Sequence, residues 1–206
     1  MLDNRKIYPR SKVALLKVAN PKLAPLWALI QGKITSARYA SIVFQEHKVL
    51  ERRGVGGFFT ERKFVNILYL SDKYLDATTN TLKFDTDEDL AIFIHECSHF
   101  LHLSANGGKF LMKDVGGDLP ALSAVSAPTD KQRYLAEREA WFRSLGLNRC
   151  FRLGLEDAIN AANANNMLSV EKLLGKRSES IEELKKMAES MSIDDFKPEW
   201  LSDSRI

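Results

Sequence analysis

The chain has 206 residues, of which 45% are hydrophobic, so it can bury a core without help from disulfides. Its formal net charge of +3 is too small to indicate a nucleic-acid-binding protein, and its two cysteines exclude a disulfide framework. Because no apolar run is as long as a membrane span and no secretory leader precedes the first helix, we expect a cytoplasmic protein with no membrane partner.

The first 22 residues are the exception to the balanced charge, because Asp3 is the only acid among many basic side chains. We expect this run to be a solvated face or a mobile arm, and a phosphate-binding patch is the alternative. The basic residues are Arg5, Lys6, Arg10, Lys12, Lys17 and Lys22.

Two prolines interrupt the apolar pattern between Ser11 and Gln31, which predicts a short helix, a break and a second helix through residues 26–30. Residues 38–53 fit either a strand with a turn or an amphipathic helix, and the pattern does not decide between them. After the glycines of residues 54–57, the β-forming residues 63–70 predict a strand. A turn at residues 76–80 and a second strand at 81–84 follow.

A helix is predicted from Asp87 to Ala105. Thr86 is a suitable N-cap with Asp89 three residues on, and acids fill the first turn. Apolar residues then recur at helical spacing. They are Leu90, Phe93, Ile94, Cys97 and Leu101.

This helix contains the sequence His-Glu-Cys-Ser-His at residues 95–99, which is the HExxH pattern of zinc hydrolases. Residues four apart lie about 6 Å apart on one helix face, so His95 and His99 can bind one tetrahedral metal. Glu96 can then act as the general base on a zinc-bound water. His102 is about 10 Å along the helix from His95 and cannot share the metal, so we expect it either beside the site or in a structural role.

The segments on either side of this helix suggest how a substrate is held. One of the two predicted strands could border the metal cleft with a free edge, where an extended peptide pairs by main-chain hydrogen bonds; an ordinary hairpin that shields the core is the alternative. Residues 106–129 are rich in glycine and proline and predict a long loop. This loop is either a cover for the cleft or a passive connection.

A third metal ligand is expected on the next predicted helix, Asp130 to Leu145, where Glu137 and Glu139 flank the apolar face at nearly equal angles. The residues of this face are Tyr134, Leu135, Trp141, Phe142 and Leu145. Ala140, one turn beyond Glu137, would allow close helix packing, which favours Glu137 and leaves Glu139 as the alternative ligand. Both acids could instead be solvated partners of Arg138 and Arg143.

HExxH followed by a helix with Glu-x-Glu-Ala resembles the gluzincin metallopeptidases, in particular the small intracellular branch with the CAAX-processing, heat-shock and ImmA-like peptidases. The resemblance covers residues 95–141. It implies a zinc ion whose third ligand is Glu137, at the first position of a Glu-x-x-Ala-Asp signature. It also implies a Tyr or His that stabilises the oxyanion, for which Tyr134 and His102 are candidates. The sequence departs from the signature at Trp141, which stands where those enzymes have Asp.

Helices are also predicted at residues 153–167 and 178–191, joined by a linker at 175–178. We expect two units: residues 1–150, a zincin-like domain with the basic N-terminal segment, and residues 151–206, a helical extension packed on it. A surface for a partner protein is the alternative role of this extension. The expected fold class is α+β, mostly helical, with a small sheet before the HExxH helix.

The expected function is zinc-dependent hydrolysis of peptide bonds in a peptide or protein substrate. One alternative is a binding or regulatory protein with a catalytically silent zincin-like scaffold. A second is a nucleic-acid-associated protein that uses residues 1–22. The sequence does not predict the oligomeric state or the biological process.

Overall fold

The computed structural model describes residues 6–36, 40–45, 57–62, 65–105 and 130–175. The predicted loop at 106–129 and the predicted helix at 178–191 lie outside these residues. In chain order, the strands and helices are β1 (Lys6–Tyr8), α1 (Arg10–Val13), β2 (Lys17–Val18), α2 (Ala24–Ser36), β3 (Ala40–Gln45), β4 (Gly57–Arg62), β5 (Val65–Ser71), β6 (Leu75–Asp76), β7 (Thr81–Leu82), α3 (Asp87–Ala105), α4 (Asp130–Phe151) and α5 (Glu156–Gly175). The architecture is therefore mixed α+β and mostly helical, as expected.

The larger sheet has four strands in the order β1-β3-β5-β4. β3 runs parallel to β5, and the outer strands β1 and β4 are antiparallel to their neighbours. Ile42 lies opposite Leu68 and Phe44 opposite Leu70, and these four side chains are buried. Since alternate residues of a strand share a face, they form one apolar surface of the sheet. Residues 40–45, which the sequence left undecided, are thus a strand.

The expected arrangement of the two predicted strands was wrong. β5 is an inner strand of the larger sheet, and β7 belongs to a separate sheet of order β2-β7-β6. The strand beside β5 is β4, whose residues 57–62 were not predicted to be extended. The backbone of β4 pairs with β5 along its whole length, and β7 lies between β2 and β6, so neither predicted strand has a free edge.

Helix α3 begins and ends at the predicted residues, Asp87 and Ala105. The predicted cap is confirmed, because the Asp89 backbone N–H donates to Thr86 Oγ1 at 3.1 Å and the Thr86 hydroxyl donates to Asp89 Oδ2 at 3.0 Å. Asp89 also accepts hydrogen bonds from Lys73 Nζ and the Tyr74 hydroxyl, at 2.7 and 2.9 Å. These contacts attach the start of α3 to the 3₁₀ turn that follows β5.

The hydrophobic core surrounds α3, which packs against α2, β5, α4 and α5. Helix α4 continues past the predicted end at Leu145, because Leu147 extends its buried face beyond Gly146. Helix α5 begins at Glu156, after Gly154 with a φ of 74°, and contributes Ile159, among others, to the same core.

The described part of the basic N-terminal run, residues 6–22, is built into the fold. β1 pairs with β3, β2 pairs with β7, and Val13 and Leu16 lie in the core. Its basic side chains Lys12, Lys17 and Lys22 are exposed, so this part is a solvated face of the domain. Within the described residues, no helix has both the length and the apolar character needed to cross a membrane.

Candidate metal centre

Helices α3 and α4 bring together three side chains whose metal-binding atoms converge. His95 Nε2 lies 3.1 Å from Glu137 Oε2 and 3.2 Å from His99 Nε2, and His99 Nε2 lies 3.7 Å from Glu137 Oε1. The two histidines are one helical turn apart on α3, and Glu137 faces them from α4. The ligand atoms of this group all lie within 4.8 Å of one another, so it could hold a metal ion.

The spacing of these atoms matches a tetrahedral site. Ligand atoms that each lie about 2.1 Å from one zinc, at tetrahedral angles, are separated by about 3.4 Å. The observed separations of 3.1, 3.2 and 3.7 Å bracket that value. Two imidazole nitrogens and a carboxylate oxygen are also a donor set that zinc and other divalent transition metals accept. The residues therefore fit a metal ion, and the geometry alone does not select which one.

Burial and charge around this group favour a neutral His95 and an ionised Glu137. Burial lowers the pKa of His95. Burial acts to raise the pKa of Glu137, but its hydrogen bonds to His95 and His99 outweigh that effect and hold the pKa well below its ordinary value. For His99 the hydrogen bond to Glu137 outweighs burial and raises the pKa. Ionised Glu137 would thus offer a negative oxygen to a cation.

Glu96 is the buried acid next to this group. Its side chain is 6% exposed, and among the described residues its Oε2 has no hydrogen-bond partner. Burial raises the pKa of Glu96 to about 8, and the nearby charge of Glu137 adds to this, whereas His99 acts to lower the pKa. A buried carboxyl group whose pKa lies near neutral can both take up and release a proton, so this position is suited to proton transfer.

Glu139, the alternative third ligand, faces a different partner. Its Oε1 accepts hydrogen bonds from Arg143 Nε and Nη2 at 3.0 and 2.6 Å, and both side chains are buried. The structure thus brings Glu137, and not Glu139, to the two histidines. The expected pairing of Glu139 with Arg143 is confirmed, but this pair is buried and does not form a solvated edge.

The two candidates for the oxyanion role, Tyr134 and His102, lie on different helices. Tyr134 is buried on α4, and its hydroxyl donates to Glu171 Oε1 on α5 at 3.1 Å. His102 lies on α3, and its side chain is outside the described part of the chain. Their role at an oxyanion stays a prediction. Cys97, which was expected to pack, is fully buried in the core.

Trp141 was expected on the apolar face of α4, and its contact with His95 was not predicted. The indole ring stacks on His95 with ring centroids 4.0 Å apart and an angle of 24° between the planes. Its Nε1 donates to Asn166 Oδ1 on α5 at 3.1 Å. The one sequence signal for the hydrogen bond to Asn166 is the cluster of asparagines at residues 160–166, which is unusual on a helix with a buried face.

Comparison of the chain with protein-family models, with curated proteins and with solved structures gave no match. The zincin-like fold and the family resemblance at residues 95–141 therefore stay predictions. The part that the structure shows is the His95, His99 and Glu137 group on an HExxH helix and its neighbour.

Proposed function

We propose that this protein is a zinc-dependent peptide-bond hydrolase. The observation that carries the proposal is the convergence of His95, His99 and Glu137 in the spacing of a metal site, with the buried carboxylate of Glu96 beside it. Zinc, when bound, supplies a Lewis acid that polarises a carbonyl oxygen and makes water a better nucleophile.

Each residue then has a role that follows from its contacts. The imidazoles of His95 and His99 and the carboxylate of Glu137 would hold the ion. Glu96 takes the proton of the attacking water on its carboxylate and delivers it to the nitrogen that leaves. The Oε2 atom of Glu96 supports this role, because it has no hydrogen-bond partner among the described residues.

A peptide substrate is supported by the larger sheet. β4 is an edge strand among the described residues, and it contacts helix α3, which carries the two histidines. An extended peptide can add to such an edge by main-chain hydrogen bonds. This feature is the reason to prefer a peptide over a small ester or amide.

The test uses the purified full chain, with metal content measured by mass spectrometry and cleavage measured on a peptide library. We expect bound zinc at one ion per chain and cleavage of some library peptides. Glu96→Gln keeps the metal and lowers turnover by at least about 100-fold, the scale of general acid–base catalysis. Glu88→Gln is the matched control, because it removes an exposed acid from the same helix.

Retained turnover in Glu96→Gln would contradict the proposed proton transfer. A wild-type protein that binds zinc but cleaves no peptide would contradict hydrolysis and support the catalytically silent binding or regulatory protein. A chain without zinc that binds DNA in a salt-dependent way, and loses this binding when the exposed Lys12, Lys17 and Lys22 are replaced by glutamine, would support the nucleic-acid alternative.

A further inference from the structure

The two ring nitrogens of His95 have different surroundings. Nε2 faces Glu137 and His99, whereas Nδ1 is buried and has no hydrogen-bond partner within the described residues. In metal sites the second nitrogen of a ligating histidine almost always donates to a carboxylate, a carbonyl or a water, and this bond fixes the ring orientation. The torsion about the Cβ–Cγ bond of histidine is broad. Another contact must therefore hold the ring of His95.

The stacked indole of Trp141 is that contact. The two rings lie 4.0 Å apart at 24°, and both side chains are buried, with exposures of 2% for Trp141 and 4% for His95. Rotation of the imidazole about its Cβ–Cγ bond would tilt its plane out of this stack and lose the contact. The stack thus opposes the motion that would turn Nε2 away from Glu137.

The indole is itself held from the neighbouring helix. Trp141 Nε1 donates to Asn166 Oδ1 at 3.1 Å, so the ring cannot slide or flip without losing a hydrogen bond. A second bond between the same two helices lies one turn away, where Arg138 Nη1 donates to Asn163 Oδ1 at 3.3 Å. This second bond joins α4 to α5 but does not involve the indole.

We propose that Trp141 is a positioning residue for His95 and that Asn166 holds Trp141 in place. The ring stack performs here the task that a hydrogen bond to Nδ1 performs in other metal sites. The inference deepens the proposed function and rests on it, since it requires His95 to hold a metal. It also makes α5 part of the metal centre, although α5 supplies none of the three converging side chains.

The experiment measures binding of Co²⁺ to the full chain, by competition with a chromogenic chelator and by the visible absorption of the bound ion. Trp141→Leu removes the stack, and we expect Co²⁺ to bind about 10–100-fold more weakly, the usual cost of losing the group that orients a ligand. Its visible spectrum should also change, because the spectrum reports coordination geometry. Trp141→Phe retains an aromatic ring but loses the bond to Asn166, so it should restore the affinity only to about the level of Asn166→Leu.

Asn166→Leu and Asn163→Leu form a matched pair, because both residues are half-buried on α5 and each accepts one hydrogen bond from α4. We expect Asn166→Leu to weaken Co²⁺ binding several-fold and to alter the spectrum. Asn163→Leu should leave both unchanged. If Trp141→Leu fails to fold, this pair decides the question.

Wild-type affinity and spectrum in Trp141→Leu would overturn the inference. Equal weakening by Asn163→Leu and Asn166→Leu would also overturn it, because the effect would then come from the packing of α5 in general. If the wild-type chain binds neither Co²⁺ nor Zn²⁺, the proposed function fails and the inference with it. If the wild type binds metal and the variants match it, only the inference fails.

Discussion

Glu137 and Glu139 lie two residues apart on α4 and face different partners. Glu137 meets His95 and His99, and Glu139 is bound by Arg143. Periodicity could not separate the two acids because both flank the apolar face of the helix at similar angles. The choice depends on which side of α4 packs on α3, and this is a property of the tertiary fold.

These partners predict different effects of the same substitution. Glu137→Gln removes the ionised oxygen, so we expect metal binding to weaken by more than about 100-fold, beyond the usual cost of an orienting residue. Glu139→Gln should keep the metal affinity but lower the free energy of unfolding by about 1.5–3 kcal/mol, because it weakens a buried hydrogen bond between charged groups. Chelator competition and urea unfolding measure the two quantities. Metal loss in Glu139→Gln alone would reverse the assignment.

The contact of Trp141 with His95 also depends on how α4 packs on α3, so the sequence could not predict it. The apolar spacing of Trp141 on α4 correctly predicted burial. Its stack on His95 depends on where two helices, distant in sequence, cross. The His95, Glu96 and His99 placement was predictable because all three residues lie on one helix, whose geometry is local.

At the scale of elements, local signals predicted α3 well and the short strands poorly. The bounds of α3 follow from Thr86, its acidic first turn and its apolar spacing, all of which are adjacent in sequence. β4 and β6 were not predicted, because a strand is stabilised by the strand beside it rather than by its own residues. β6 has two residues, too few for a pattern.

The contacts of Asp89 at the start of α3 predict a pH dependence of stability. Burial acts to raise the pKa of Asp89, but hydrogen bonds from Lys73, Tyr74 and Thr86 outweigh it and hold the pKa below its ordinary value. A carboxylate whose pKa is lower in the folded state stabilises the fold above its unfolded pKa of about 3.9, and this contribution is lost as the pH falls through the folded pKa.

Asp89→Asn should therefore lower the free energy of unfolding at pH 6, and its difference from the wild type should narrow as the pH falls below about 4. Urea unfolding at pH 6 and pH 3 measures this. Asp87→Asn is the control, because it removes an exposed acid from the same helical turn and should change stability by less than about 0.5 kcal/mol. An equal difference at both pH values would show that the hydrogen-bonded carboxylate is not the cause.

At the scale of the whole molecule, one hydrophobic core extends from Val13 to Met167. Residues of α5, such as Ile159, lie in this core together with α3. The division into residues 1–150 and 151–206 was expected from a change in composition and stays a prediction. The described part of residues 151–206 contacts α3 and α4.

A shared core predicts that a cavity in α5 weakens the whole fold. Ile159 is fully buried, so Ile159→Ala should lower the free energy of unfolding by about 2–5 kcal/mol in a single transition. Tryptophan fluorescence and far-ultraviolet circular dichroism should give the same midpoint. Leu168→Ala is the control on the same helix, because Leu168 is 52% exposed. Separate loss of helicity before the main transition would indicate that α5 folds independently.

The pairing of β2 with β7 has a consequence for the order of folding. Lys17 lies opposite Thr81 in this parallel pair, and β7 leads directly into α3. Pairing β2 with β7 closes a long loop of chain, which costs conformational entropy. We therefore expect this pair to form late in folding. Helix α3 has local contacts and can form early, but Glu137 lies on α4 and reaches the two histidines only when α4 packs on α3. We therefore expect refolding to show helical signal first and metal-binding competence later, and stopped-flow mixing with Co²⁺ can time the two events.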